Sequence, residues 1–73
     1  MDIMQIKVEI ENNIAILYLT GEIDLSNSQQ LRTQFNKILA KNIYNIIVDL
    51  SEVTYMDSSG VATLVEIMQK IKK

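Results

Sequence analysis

The stretch YNIIVDL, residues 44–50, decides the fold class of this 73-residue chain. It is apolar nearly throughout, which is typical of a parallel strand covered on both faces. An earlier apolar run, residues 14–19, has the same character and predicts an interior strand over residues 14–20. Between the two, residues 26–41 carry apolar side chains at helical spacing, and Ser26 with Gln29 three residues later has the spacing of a capping box that would begin the helix. Strand, helix and strand with short connections predict a right-handed crossover.

Two further elements flank this crossover unit. Residues 4–11 alternate between apolar and polar side chains, which predicts a half-buried strand. Asn12 and Asn13 follow, and because asparagine tolerates positive φ they predict a tight hairpin. After residues 51–56, interpreted as a loop, residues 58–72 are apolar at three- and four-residue steps and predict a closing helix. The sequence therefore predicts an α/β fold of order β-β-α-β-α, a mixed sheet of about three strands with helices packed on it.

A sheet of only three strands leaves an edge open. Doubly covered sheets of this type usually continue beyond the third strand. We therefore expect the chain to be the first part of a larger domain, incomplete on its own. We also expect self-association through the open sheet edge.

The composition argues against several classes of protein. A net charge of −2 with seven scattered basic residues argues against a nucleic-acid-binding surface. The longest fully apolar run, residues 14–19, is far too short to cross a bilayer, so no membrane insertion is expected. No secretory signal is visible at the N-terminus, and a cytoplasmic location is the expectation. The chain has no cysteine and no histidine, which excludes disulfides and thiolate metal sites.

The cluster Asp57-Ser58-Ser59-Gly60 lies where the last strand passes into the last helix. A helix N-terminus presents free backbone N–H groups and a partial positive charge, which favour an added anion. As a purely structural feature, Asp57 would cap the helix and Gly60 would allow a close approach of helix and sheet. That interpretation leaves the pair of hydroxyl groups unexplained. A nucleophilic serine needs a general base, commonly histidine, so no catalytic residue is predicted.

Four acidic residues are expected near strand ends, where a divalent cation could be held: Glu22, Asp24, Asp49 and Asp57. Helix capping by Asp24 and Asp57 is the favoured interpretation, so no metal site is predicted. The two glycines of the chain form no phosphate-binding loop and no dinucleotide fingerprint, so no cofactor is predicted. Asp49 as a receiver-type phosphoacceptor is rejected, because the acidic pair and the later lysine of that domain have no counterpart.

Three motifs together resemble a known family. They are GEID at residues 21–24, IVDLSEVTYM at residues 47–56 and DSSGV at residues 57–61. In this order and spacing, over the chain from about Met4 onward, they resemble the STAS domain and, more narrowly, the bacterial anti-sigma factor antagonists. Complete STAS domains have further strands and helices after the segment that matches residues 61–73. The resemblance therefore implies a C-terminally truncated domain.

The resemblance implies a phosphoprotein switch in transcription regulation rather than an enzyme. In that family the unphosphorylated antagonist binds an anti-sigma factor, which is also a serine kinase, and so frees a sigma factor. The phosphorylated serine corresponds to Ser58, and Ser59 matches a second serine without an acceptor role. The partner-binding residues implied by the resemblance are Asp24, Asp57, Ser58, Ser59 and Gly60.

Two other functions stay open at the level of sequence. STAS-like proteins also accompany lipid-transport ABC systems, and residues 60–66, GVATLVE, are similar to the helix of that subgroup. The chain would then dock on an ATPase, and Ser58 would be structural. The third alternative is a fragment without function of its own.

Overall fold

The computed structural model describes residues 3–71, and five elements follow one another along the chain. They are β1 (Gln5–Glu11), β2 (Ile14–Ile23), α1 (Ser28–Leu39), β3 (Asn45–Met56) and α2 (Ser58–Ile71). The order β-β-α-β-α is as predicted, and the predicted end of α2 at residue 72 lies outside the described residues. The sheet is mixed, in the order β1-β2-β3, with β2 antiparallel to β1 and parallel to β3. Within residues 3–71, neither helix has the length and apolar character needed to span a bilayer.

A two-residue turn joins β1 and β2. Glu11 pairs with Ile14 across it, and the two residues between have φ values of 52° at Asn12 and 65° at Asn13. Two successive positive φ values are typical of the type I′ turn, whose twist matches that of the strands it connects. The structure thus contains the hairpin predicted from the two asparagines.

The core lies on one face of the sheet, where α1 and α2 pack side by side. Alternate residues of β2 are buried against side chains of both helices; the core includes Ala15, Leu17, Leu19, Ile23, Leu31, Phe35, Ile38 and Ile67. The expectation that β3 is covered on both faces is wrong, because Ile46 and Val48 face the helices whereas Ile47, on the other face, is 53% exposed. The strand is apolar on both sides, so its composition alone does not indicate which side is covered.

A polar link holds the two helices together. The guanidinium of Arg32 donates to the carboxylate of Glu66 over 2.8 Å and to the hydroxyl of Thr63 over 3.4 Å. Thr63 is fully buried, and its own hydroxyl donates to the carbonyl of Ser59 over 2.9 Å. The first turn of α2 is therefore connected to α1 through one buried side chain.

The predicted loop at residues 51–56 is wrong, because β3 runs on to Met56. The end of β2 is also longer than predicted, since residues 21–23 continue the strand and pair with the second half of β3. Register shifts between β2 and β3 interrupt the two-residue period at this point. That interruption, together with the polar side chains of the segment, gives it the sequence pattern of a loop.

The capping box predicted for the start of α1 is also wrong. The helix is preceded by Asn27, and no side chain caps it from that position. The hydroxyl of Ser26 donates to Asp24 instead, and the side chain of Gln29 accepts a hydrogen bond from Arg32. The turn before α1 is therefore ordered by its own side chains rather than by a reciprocal cap.

The two glycines of the chain are required for different reasons. Gly21 has φ +83°, and a Cβ atom there would lie 2.5 Å from the backbone oxygen of Ile3. Gly60 is helical, and its Cβ would meet side-chain atoms of Met56 at 2.6 Å and Ile23 at 2.9 Å. A substitution at Gly21 must shift backbone, whereas one at Gly60 must displace the side chains of Met56 and of the fully buried Ile23.

We expect Gly21→Ala to lower the free energy of unfolding by about 2–3 kcal/mol, because alanine is strained at positive φ and collides with backbone. Gly60→Ala should cost less, about 1–2 kcal/mol, because side chains rather than backbone must shift and the helix propensity of alanine offsets part of the crowding. Urea unfolding followed by circular dichroism measures both. A loss at Gly60 equal to or larger than that at Gly21 would contradict this account.

Candidate functional site

The ends of β2 and β3 bring two loops together. Ile23 and Met56 are the last paired residues, and the backbone N–H of Asp57 donates to the carbonyl of Ile23 over 3.1 Å. Because parallel strands end at the same edge of a sheet, the segments that follow them meet there. We refer to residues 24–27 and 57–60 together as the strand-end site.

Asp57 joins the two halves of the strand-end site. One carboxylate oxygen accepts hydrogen bonds from the backbone N–H groups of Ser59 at 2.9 Å and Gly60 at 3.1 Å, and from the Ser59 hydroxyl. The other oxygen accepts from the backbone N–H of Leu25, across the site, at 3.2 Å. Asp57 therefore caps α2, as the structural interpretation of the sequence expects, and also tethers the loop after β2.

These hydrogen bonds keep the Asp57 carboxylate charged. The Ser59 hydroxyl is the main cause that lowers the pKa of Asp57 below its usual range, and the N–H groups of Gly60, Ser59 and Leu25 act in the same direction. Partial desolvation opposes them without reversing the shift. The site thus carries a negative charge directly beside Ser58.

The two serines of the site have different environments. Ser58 is the first residue of α2, its side chain is exposed, and its hydroxyl has no hydrogen-bond partner among residues 3–71. Ser59 is half-buried, with its hydroxyl bound to Asp57 and its carbonyl bound by Thr63. Only the Ser58 hydroxyl is both accessible and unengaged, so it is the group of this pair that another protein can reach.

Asp24 also lies in the strand-end site. Its carboxylate accepts hydrogen bonds from the backbone N–H and the hydroxyl of Ser26, and its own N–H donates to Asn27 over 2.9 Å. The side chain therefore orders the turn before α1 and does not cap the helix itself. No group of three or more acidic, histidine or cysteine side chains in residues 3–71 is arranged to hold a metal ion.

Sequence reasoning missed one residue of this site, Leu25. Its side chain is 78% exposed although its backbone is bound to Asp57. The available signal was its position, an apolar residue between Asp24 and Ser26 outside the apolar stripe of α1. The established role of Leu25 is that of its backbone N–H, which binds the second oxygen of Asp57.

The lowered pKa of Asp57 predicts a pH-dependent contribution to stability. A carboxyl group with a lower pKa when folded stabilises the fold above its unfolded value of about 3.9, and the contribution is lost as the pH falls through the folded value. The free energy of unfolding of Asp57→Asn should therefore be lower than that of wild type at pH 7. This difference in free energy of unfolding should be smaller at pH 3. Urea midpoints at both pH values measure this.

Glu11→Gln, which changes an exposed carboxylate on β1, is the control for removing one negative charge. If the urea midpoints of wild type and Asp57→Asn differ as much at pH 3 as at pH 7, the charge of Asp57 does not stabilise the site.

A family model described as the STAS domain matches residues 5–73 of the chain. The anti-sigma-F factor antagonist RsfB of Mycobacterium tuberculosis is 31% identical over 70 residues, which is 96% of this chain and 57% of the relative. The structure of an anti-sigma factor antagonist from Mycobacterium paratuberculosis superposes with a TM-score of 0.89 at 25% identity, over 99% of this chain and 62% of that one.

The fold is also that of SpoIIAA, a Bacillus protein solved in an unphosphorylated and a phosphorylated form. The TM-scores are 0.79 and 0.77 at 22% identity, over 96% of this chain and 64% and 63% of the SpoIIAA chains. The chain thus spans somewhat more than half the length of these relatives. By sequence and by fold, it belongs to the STAS domain family, with relatives named anti-sigma factor antagonists.

Proposed function

We propose that this chain is a non-enzymatic protein-interaction switch, an anti-sigma factor antagonist whose binding to an anti-sigma factor serine kinase is controlled by phosphorylation of Ser58. The observation that carries the proposal is the contrast between the two serines. The Ser58 hydroxyl is exposed and unengaged, whereas the Ser59 hydroxyl is bound to Asp57. The names of the mycobacterial relatives support the class of partner.

The position of Ser58 suits a phosphate group. A phosphate adds a charge of roughly −1.5 to −2 and three acceptor oxygens, and the N-terminus of α2 is the end of the helix that favours negative charge. Phosphorylation of Ser58 therefore places the new charge in solvent beside the helix N-terminus, where the fold does not need to rearrange. The likeness of this fold to both forms of SpoIIAA is consistent with a fold that tolerates the modification.

The same charge would be unfavourable at an interface. The Asp57 carboxylate is already negative, and a phosphate on Ser58 concentrates charge on the surface that also presents Asp24 and Leu25. A partner shaped for a neutral hydroxyl must desolvate this charge or dissociate, at a cost of several kcal/mol. The switch thus acts on affinity, while Ser59, Asp57 and Gly60 keep the binding surface in place.

In this proposal the chemistry belongs to the partner. The chain has no histidine to activate a serine, and Ser58 serves as substrate of the kinase. A sigma-factor switch acts where transcription takes place, so the proposal implies a cytoplasmic location. The alternative of an ABC-transporter accessory subunit is less favoured, because the relatives reported above are named as antagonists.

Incubation with a candidate anti-sigma factor serine kinase and ATP, followed by phosphosite mapping by mass spectrometry, tests the acceptor. We expect phosphate on Ser58, retained in Ser59→Ala and absent in Ser58→Ala. Ser59→Ala is the matched control because it removes the neighbouring hydroxyl. Phosphate on Ser59, or none on either serine, would refute the assignment.

Binding of the same kinase tests the switch itself. Ser58→Ala should bind as the unmodified chain does, and Ser58→Asp should bind at least about tenfold more weakly, because a carboxylate reproduces part of the charge of a phosphate. Isothermal titration calorimetry measures both dissociation constants. Equal affinities for Ser58→Ala and Ser58→Asp would mean that charge at this position does not control binding.

A further inference from the structure

The strand-end site contains two adjacent serines and engages the hydroxyl of one of them. The Ser59 hydroxyl donates its single proton to the carboxylate of Asp57, and the same carboxylate oxygen accepts the backbone N–H groups of Ser59 and Gly60. The Ser58 hydroxyl is exposed and has no partner within the described residues 3–71. The motif offers two hydroxyl groups to a kinase, so the contacts around them decide which one reacts.

Phosphoryl transfer from ATP sets two requirements on a serine. The serine oxygen forms a bond to the γ-phosphorus while the bond from that phosphorus to the oxygen of ADP breaks, and the hydroxyl proton passes to a base of the kinase. The hydroxyl must therefore be accessible, and its proton must be able to point at that base. Ser58 meets both requirements, whereas Ser59 is half-buried and directs its proton to Asp57.

The bond between the Ser59 hydroxyl and Asp57 is charge-assisted. This hydroxyl is the largest cause that lowers the pKa of Asp57, so the carboxylate is ionised at neutral pH. A hydrogen bond to an ionised group corresponds to a factor of about ten to a hundred in an equilibrium constant. The fraction of Ser59 hydroxyl groups that are released for a kinase is reduced by a factor of this size.

Asp57 also disfavours the product of a transfer to Ser59. A phosphate on Ser59 would place a charge of about −1.5 to −2 on an oxygen that lies within hydrogen-bond distance of the Asp57 carboxylate. Attraction is then replaced by repulsion between like charges in a half-buried position, where salt screens them less. A phosphate on the exposed Ser58 lies in solvent, where the repulsion is better screened.

The backbone of Ser59 is fixed, but its side chain is held by one contact. The Ser59 carbonyl accepts the hydroxyl of Thr63 over 2.9 Å, and its N–H donates to Asp57 over 2.9 Å. The side chain has other staggered rotamers, and rotation about χ1 breaks the bond of its hydroxyl to the carboxylate. Control of the Ser59 hydroxyl therefore lies in the side chain of Asp57.

We propose that Asp57 selects the phosphate acceptor: its carboxylate holds the Ser59 hydroxyl and so restricts phosphorylation to Ser58. Asp57 is a positioning residue in this role, because it acts through Ser59. The inference rests on the proposed function, since it concerns which of two serines a kinase modifies. It adds that a chain without this carboxylate is phosphorylated on both serines.

Phosphosite mapping in variants of Asp57 tests the selection. The full 73-residue chains are incubated with the candidate anti-sigma factor serine kinase and ATP, with the kinase above the dissociation constant that calorimetry gives for each variant. In wild type we expect nearly all phosphate on Ser58. Asp57→Ala should lower the ratio of phosphate on Ser58 to phosphate on Ser59 at least about tenfold. Asp57→Asn should lower it less, because its neutral amide oxygen still accepts a hydrogen bond.

Two controls separate selection from loss of charge and loss of stability. Asp49 also binds the serine two residues ahead, since its carboxylate accepts the backbone N–H of Ser51 over 2.9 Å, and it lies on β3 outside the strand-end site. Asp49→Asn therefore removes an equal charge and should leave the ratio unchanged. Gly21→Ala, which is expected to lower the free energy of unfolding, should also leave the ratio unchanged.

A background without the first acceptor isolates Ser59. Ser58→Ala with Asp57 intact should receive no phosphate on Ser59, whereas Ser58→Ala combined with Asp57→Ala should receive phosphate there. A measurement without kinase supports the same point. Three-bond NMR couplings should show a single χ1 rotamer of Ser59 in wild type and averaging between rotamers in Asp57→Ala.

The outcomes distinguish the selection from the proposed function. Phosphate on Ser58 alone in Asp57→Ala would overturn the selection and leave the proposed function intact. A change of ratio in Asp49→Asn or Gly21→Ala as large as that in Asp57→Ala would do the same. Phosphate on neither serine of wild type would refute the proposed function and the selection with it.

Discussion

The parallel pairing of β2 with β3 is the constraint on which the rest of this structure depends. A parallel pair cannot be closed by a tight turn, so the chain must cross over the sheet, and α1 is that crossover. The crossover makes both strands end at one edge of the sheet, where the loop after β2 meets the start of α2. The strand-end site is thus a consequence of this pairing.

Asp57 turns this proximity into an ordered site. A capping residue needs one oxygen for the N-terminus of its helix, and Asp57 uses the other to hold the backbone of Leu25. The cap, the tether and the close packing of Gly60 hold the first turn of α2 against the strand ends. The Ser59 hydroxyl is hydrogen-bonded to Asp57, whereas the Ser58 hydroxyl is exposed. Two adjacent serines therefore differ in whether another protein can reach their hydroxyl groups.

Much of the fold could be predicted from local patterns. The alternation in residues 4–11, the asparagine pair and the helical stripes indicate the correct elements in the correct order. The errors occur where tertiary context determines the outcome. Residues 51–56 are polar because one face of β3 is open to solvent there, and register shifts hide their two-residue period. Which face of β3 is covered is not visible in a strand that is apolar on both sides.

The candidate site was predictable as a motif, but its geometry was not. Sequence alone identifies Asp57, Ser58, Ser59 and Gly60, whereas the different environments of the two serines depend on hydrogen bonds between segments distant in sequence. Leu25 was missed for the same reason. Its position beside Asp57 results from a contact across 32 residues of chain, which local periodicity does not encode.

The buried hydroxyl of Thr63 has a consequence for recognition. It donates to the carbonyl of Ser59 and accepts from the guanidinium of Arg32, so it links the first turn of α2 to α1. Under the proposed function, a partner meets a surface whose first helical turn is already ordered by hydrogen bonds. Little conformational entropy is lost on association, and more of the contact energy at Ser58 is expressed as affinity. Under the proposed function, a charge added at Ser58 therefore acts on the affinity for the partner, because the turn that carries Ser58 is already fixed by Asp57 and Thr63.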